Sequence, residues 1–185
     1  MDDNKVYLSF GRHGRYGAHT AIEHTSMLEA YLSGRNLSAK LPECQTVFYS
    51  PIPRAVQTAK FRGLGLGCRR FSAQEALKEE TATFTIRQLV NSVIQSAEPE
   101  ERHFHFVTHQ PVIEKLGLPE LDTCGICICA ADSWADMLSE NYEVSRWPAP
   151  TIDEMHSLLQ VVRIEPEDLE KFSPDGVYSA LSRIK

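Results

Sequence analysis

Thr46-Val47-Phe48-Tyr49-Ser50-Pro51-Ile52-Pro53-Arg54-Ala55-Val56-Gln57-Thr58-Ala59 reads as a strand, a break and the start of a helix. Thr46 to Tyr49 is β-branched and aromatic, as a short buried strand requires. Ser50-Pro51 stops it, and Pro53 suits the first turn of a helix running to about Phe61. Arg54 therefore lies just past the carboxyl end of a strand, in a helical first turn whose amides attract anions. Open α/β sheets keep their functional loops at that edge. Alone, the stretch fits equally well a strand-turn-helix with a solvated arginine.

Working outward, the same grammar recurs. Val6 to Phe10 is an apolar strand that runs into Gly11-Arg12-His13-Gly14 and a loop to Gly17. Met27, Leu28, Tyr31 and Leu32 give His24 to Leu32 a helical spacing, and Gly34 can end that helix. Gly63 to Gly67 reads as a flexible connection and Cys68 to Phe71 as a weak third strand. Thr85 to Gln95 is amphipathic through Ile86, Leu89, Val90, Val93 and Ile94, and an acidic turn, Glu98 to Glu101, follows it. Phe104 to Val107 is a fourth strand leading into Thr108-His109-Gln110-Pro111, and Gly125 to Ala130 a fifth. Strands alternating with helices predict a mostly parallel central sheet in a three-layer α/β/α sandwich. After about Glu140 the pattern changes. Trp147-Pro148-Ala149-Pro150 is a rigid link, Thr151-Ile152-Asp153-Glu154 a capping box, and Pro166-Glu167-Asp168-Leu169 opens a last short helix. The expectation is one domain over residues 1–185, with a core of about 5–140 and a helical extension, 141–185, packed on it.

The bulk numbers restrict the partners. The 185 residues are 42% apolar and 24% charged, as in a soluble globular domain. With 19 basic against 25 acidic side chains, the net charge of −6 recruits neither nucleic acid nor an anionic membrane. An anionic substrate would need a local positive pocket. Five cysteines is an odd count, so a complete disulfide framework is impossible. Cys127 and Cys129 would share one face of a strand, which raises zinc; no second Cys-x-x-Cys or His pair follows Cys124-Gly125-Ile126-Cys127, and buried core thiols are the better reading. Reduced cysteines and a short polar N-terminus predict a cytoplasmic protein without a membrane span.

Each loop carries a group suited to phosphoryl chemistry. A neutral imidazole at His13, with one ring nitrogen held by a carbonyl, is a competent nucleophile toward phosphorus. Arg12 and Arg54 can neutralise phosphoryl oxygens in bidentate fashion, and Gly14 lets the backbone approach closely. Arg15 adds a third positive group to the pocket or is simply solvated. A leaving oxygen also needs a proton, and Glu75, Glu79 and Glu80 are the carboxylic acids nearby in sequence. His103 and His105 stand at period two. A His-x-His metal site is set aside for them, because His109 would lie in a loop and no acidic ligand set adjoins; they read as core or surface histidines.

In this order the segments resemble the histidine phosphatase superfamily, which has a phosphoglycerate mutase-like fold. Arg12-His13-Gly14 resembles the family's Arg-His-Gly, and Ser50-Pro51-x-x-Arg54-Ala55-x-Gln57-Thr58-Ala59 its Ser-Pro-x-x-Arg-Ala-x-Gln-Thr-Ala. Leu77-Lys78-Glu79 looks like the Leu-x-Glu that carries the proton donor of the mutase branch. His109 with Pro111 two residues on looks like the short bacterial phosphohistidine phosphatases. The resemblance covers roughly Val6 to Ala130. It departs at Arg15, where the family often has Glu, Gln or Asp, and at Ile22 to Ala30, where the Leu-Thr-x-x-Gly-x-x-Gln-Ala helix start is degraded. It implies a metal-independent phosphatase without a cofactor, acting on a phosphomonoester or a protein phosphohistidine through a phosphohistidine on His13. Arg12, Arg54 and His109 would hold the phosphoryl oxygens, with Arg15 as a further phosphate contact, and Glu79 would supply the proton. Mutase-type phosphotransfer and a non-catalytic phosphate-binding module that kept the fold are the alternatives.

Overall fold

The structure is a computed structural model that describes residues 4–17 and 22–184. Its frame is a six-stranded sheet in the order β3-β2-β4-β1-β5-β6. The strands are β1 (Val6–Arg12), β2 (Thr46–Tyr49), β3 (Phe71–Ala73), β4 (His103–Thr108), β5 (Ile126–Ala131) and β6 (Glu143–Trp147). Pairing is parallel for β1 with β4, β2 with β4 and β2 with β3. It is antiparallel for β1 with β5 and for β5 with β6. The sheet is thus parallel where the loops discussed above emerge and antiparallel along its other edge, a mostly parallel sheet as expected.

The helices are α1 (His24–Ser38), α2 (Pro53–Leu66), α3 (Thr83–Gln95), α4 (Gln110–Lys115), α5 (Trp134–Leu138), α6 (Ile152–Val162) and α7 (Pro174–Leu181). The pleat sorts side chains onto two faces. Val6, Leu8, Phe10, Phe104, Phe106, Cys127 and Cys129 face α3, α4 and α5 through Ile86, Val90, Val112, Ile113 and Met137. Phe48, Phe106 and Phe10 stack in a row across β2, β4 and β1, with ring centroids 5.0 and 4.9 Å apart. On the other face Tyr7, Val47, Val107, Ile126 and Ile128 meet Leu37 of α1 and Ala55, Ala59 and Leu66 of α2. Outside that layer, Leu158 and Leu159 of α6 and Val177 and Leu181 of α7 cover Met27, Leu28 and Tyr31 of α1 and Phe61 of α2. Thr151 and Glu154 make the expected reciprocal capping box at the start of α6.

Two helices outrun their predicted ends for one reason. A Cβ on Gly34 would stand 2.2 Å from the carbonyl oxygen of Arg62, and one on Gly65 2.0 Å from that of Tyr31. These glycines let the backbones of α1 and α2 touch, so neither ends its helix. α2 stops at Gly67, whose φ of 69° makes the left-handed cap. The third strand accordingly begins at Phe71. β6 lies beyond the expected core boundary at residue 140; its side chains are almost all exposed, so no apolar alternation announces it.

Candidate active site

β1, β2 and β4 end side by side, and their last residues are knitted together. His13 N–H donates to the carbonyl of Thr108 at 3.0 Å and Ser50 N–H to that of Val107 at 3.0 Å. Cys124 N–H reaches the carbonyl of His13 at 3.2 Å. Arg12, His13, Arg54, Glu79 and His109 gather at this edge.

His13 is 5% exposed. Its Nδ1 bonds the carbonyl of Gly14 at 2.8 Å, which requires the proton on Nδ1 and leaves the Nε2 lone pair free. Arg54 Nε donates to that lone pair at 3.1 Å. Burial pushes the His13 pKa down; the Gly14 carbonyl opposes this, and the charges of Arg54 and Arg12 add to it. The imidazole is therefore neutral at pH 7.

His109 is fully buried, with its ring 5.0 Å from that of His13. Ser50 sets its tautomer. Ser50 Oγ accepts from Ile52 N–H at 3.4 Å and stands 2.9 Å from His109 Nε2. If the hydroxyl donates to Nε2, Nδ1 carries the proton and points it into the pocket. Nδ1 lies 2.9 Å from Glu79 Oε1. That contact is not aligned as a hydrogen bond, and Nδ1 is otherwise unpartnered. Burial, reinforced by His13, lowers the His109 pKa to about 4. Glu79 Oε1 also pairs with Arg54 Nη2. Arg12 Nη1 donates to the carbonyl of Leu121 at 2.8 Å, while its Nε is buried without a partner. The centre thus holds two guanidinium groups, two neutral imidazoles and unspent N–H donors, with one carboxylate oxygen among them.

His13, Glu79 and His109 offer ligand atoms within 4.8 Å of one another. A metal would nevertheless need the His13 lone pair that Arg54 already occupies, and would sit against two arginines. The donor set suits an anion better than a cation.

The remaining candidates lie apart. The Arg15 side chain, 60% exposed, faces Glu29 at 3.8 Å. Glu75 pairs with Lys78 at 2.6 Å, and Glu80 is exposed. His103 and His105 are buried in the sheet and both hydrogen-bond Ser9 Oγ at 2.7 Å.

Other residues support the centre without having been singled out in the sequence. Thr58 Oγ1 accepts from Gly14 N–H at 2.9 Å and donates to the Arg54 carbonyl at 2.7 Å, tying the two arginine loops together. Lys115 Nζ holds the carbonyls of Glu79 and Thr81 at 2.6 and 2.9 Å, and Thr108 Oγ1 holds that of Leu77 at 2.8 Å. Tyr16 stands at the mouth, its ring 5.6 Å from that of His13 and 4.8 Å from the Arg54 guanidinium carbon. Arg62 is wholly buried behind the site; Nη2 donates to the Cys124 carbonyl at 2.8 Å. A Cβ on Gly11 would lie 1.8 Å from Arg62 Nη1, so glycine is what admits this guanidinium beneath β1. Ser50 and Thr58 were legible as fixed positions of the motif; Arg62 and Lys115 carried no signal.

This architecture is shared by solved structures. The protein histidine phosphatase SixA, complexed with tungstate, superposes with a TM-score of 0.63 at 18% identity, covering 76% of this chain and 94% of its own. A mycobacterial glucosyl-3-phosphoglycerate phosphatase, complexed with VO3, gives 0.59 at 14% identity over 78% of this chain and 100% of its own. The fold is that of the histidine phosphatases. The ecdysone phosphate phosphatase of Bombix mori, complexed with tungstate, gives 0.55 at 12% identity over 79% and 94%. No protein-family model matches this chain, and no curated protein matches its sequence.

Proposed function

We propose that this protein is a metal-independent phosphatase that acts through a phosphohistidine on His13. The observation that carries the reading is the state of His13: a buried, neutral imidazole whose Nδ1 is fixed on Gly14 and whose Nε2 lone pair faces a pocket of guanidinium and imidazole donors.

The free pocket is already occupied by a mimic of substrate. Glu79 Oε1 meets Arg54 and His109, the place a phosphoryl oxygen would take. A bound phosphoryl group displaces this carboxylate and draws Arg54 off Nε2 onto its own oxygens. The unpartnered Arg12 Nε and His109 Nδ1 complete the cradle. The group is then in line for Nε2 to attack phosphorus, and the cations neutralise charge that spreads over the equatorial oxygens. Glu79, released but still held at its carbonyl by Lys115, is 42% exposed at its side chain and can carry a proton to the leaving oxygen. The same carboxylate then deprotonates the water that cleaves the P–N bond. Arg15 stays outside this scheme in its present position.

The substrate is a phosphomonoester or a phosphohistidine, with water as the final acceptor; a mutase would pass the phosphoryl group to a second hydroxyl instead. Five free, buried cysteines fit a reducing compartment such as the cytoplasm. We read residues 1–185 as one domain, because α6 and α7 share a core with α1 and α2.

The test is His13→Ala, assayed with an aryl phosphate and with an acid-labile, base-stable phosphoenzyme trap. Turnover and the trapped species should both vanish. Wild-type turnover in the variant would overturn the assignment.

A further inference from the structure

We propose that Cys44 and Cys68 are a redox-active dithiol, closed by hydrogen peroxide or a comparable two-electron oxidant into a reversible disulfide that braces the β2–α2 unit.

The geometry comes from the sheet register. β2 and β3 are parallel, with Val47 opposite Phe71, Phe48 opposite Ser72 and Tyr49 opposite Ala73. Cys44 precedes Val47 by three residues, and Cys68 precedes Phe71 by three. Just before the strands, Val47 N–H donates to the Arg70 carbonyl at 2.9 Å, and the Arg70 side chain reaches across to the Gln45 carbonyl, its Nε donating at 2.9 Å. Carried three residues further back, the same register sets the two cysteines opposite one another. Neighbouring strands lie about 4.8 Å apart, within the roughly 4.4–6.8 Å that a disulfide spans between Cα atoms. The side chains agree with the backbone. Cys44 Sγ donates to the carbonyl two residues on, Thr46, at 3.6 Å, and Cys68 Sγ does the same to Arg70 at 3.4 Å. Each sulfur lies near enough to the other to be the largest influence on its titration.

Their chemistry is unequal in the useful sense. The adjacent Cys44 favours the Cys68 thiolate and the nearby Arg70 charge helps, so the Cys68 pKa is lowered while that of Cys44 is raised. Cys68 is also the more exposed, at 8%. It is the attacking sulfur and Cys44 the resolving one. The Cys68 thiolate attacks one oxygen of the peroxide; an S–O bond forms, the O–O bond breaks, and the departing hydroxide takes up a proton to become water. Cys44 sulfur then attacks Cys68 sulfur. The S–S bond forms, the S–O bond breaks, and the released hydroxide takes the Cys44 proton. Two thiols and one peroxide give one disulfide and two waters. A small dithiol or glutathione reverses it. The other cysteines do not compete. Burial raises the thiols of Cys124 and Cys127 to about 12 and Cys129 higher, and Cys127 and Cys129 share one strand face.

The bond would close a loop from residue 44 to residue 68, which contains Ser50, Arg54, Gln57 and Thr58. The whole segment that supplies the arginine and the His109 partner would be tied at both ends. The inference does not depend on the phosphatase reading.

The experiment treats the full chain with limiting hydrogen peroxide and maps peptides without reduction. A Cys44–Cys68 linked peptide should appear and the denatured thiol count fall by two. The Tm should rise by about 5–10 °C, as a loop of this length predicts, and return with dithiothreitol. Cys44→Ser and Cys68→Ser should each abolish the linked peptide and the Tm rise. Cys68 stopping at a sulfinic acid, bridging of any other cysteine, or an unchanged thiol count would overturn the proposal.

Discussion

Acidification from pH 6 to pH 5 should cost this protein about 2 kcal/mol through His103 and His105 alone. Both are fully buried in β4 and share Ser9. His103 Nδ1 faces the carbonyl of Pro42 at 3.3 Å, so it carries the proton and Nε2 accepts from the Ser9 hydroxyl. Ser9 Oγ in turn accepts from His105 Nδ1–H. One more proton on His103 Nε2 would break this chain, and one on His105 Nε2 would be a buried charge with no partner among the described residues. Burial holds His103 at about 4 and, reinforced by the Arg62 charge, His105 well below its usual value. An unfolded histidine titrates near 6.5. Above that pH neither state binds the proton and stability is whole. Below it the unfolded chain takes a proton that the folded chain refuses, so stability falls as pH falls, for His103 until its folded form titrates at about 4. Between pH 6 and 5 each histidine contributes about 1 kcal/mol of loss, or together roughly 4–8 °C in Tm for a chain of this size. His13 and His109 act in the same direction. Thermal melts at constant ionic strength, with proton uptake on unfolding, measure it. His103→Leu should lower Tm at pH 7.5, yet lose about half of the slope assigned to the pair. Equal Tm values at pH 6 and 5, or an unchanged slope in the variant, would refute the reasoning.

Gly14→Ala would place a Cβ 2.6 Å from Ser26 Cβ and 3.2 Å from Cys124 Sγ; the loop must shift, and kcat on an aryl phosphate should fall on the order of a hundredfold, as for a misplaced reacting group, with the fold kept by circular dichroism. Glu79→Gln should cost an alkyl phosphate on the order of a hundredfold in rate and an aryl phosphate far less; an equal loss on both would remove Glu79 from the acid role. Vanadate should inhibit and a chelator leave the rate unchanged, because Arg12 and Arg54 supply the positive charge; loss on chelation restored by zinc would assign the His13, Glu79 and His109 donors to a metal instead.

The sequence was most readable where local chemistry and backbone geometry coincide. The apolar runs at Val6 and Thr46 sit on strands, and Pro53 opens a helix, because few other conformations accept those residues. The glycines misled, since a glycine that ends a helix and one that admits a neighbouring backbone look alike in one dimension. Gly34 and Gly65 are of the second kind, and only the α1–α2 contact distinguishes them. The direction of β5 was hidden similarly. Ile126 to Ala131 is buried on both faces, and such a run has no mark of orientation.

The site divides along the same line. The residues that carry chemistry stand in short strings at strand ends, and these strings could be read. The residues that set their state come from anywhere. Ser50 pairs with His109 Nε2, Thr58 ties the Arg12 loop to the Arg54 loop, and Lys115 anchors the backbone of Glu79 from a different helix. Arg62 is the furthest case. Its guanidinium is wholly buried with one hydrogen bond, to the carbonyl of Cys124, whose N–H bonds the carbonyl of His13. A buried charge so poorly compensated is costly. The negative charge of Glu29 offsets part of that cost. Arg62 is thus linked to the backbone of His13 through Cys124, although seven residues of helix separate it from Arg54.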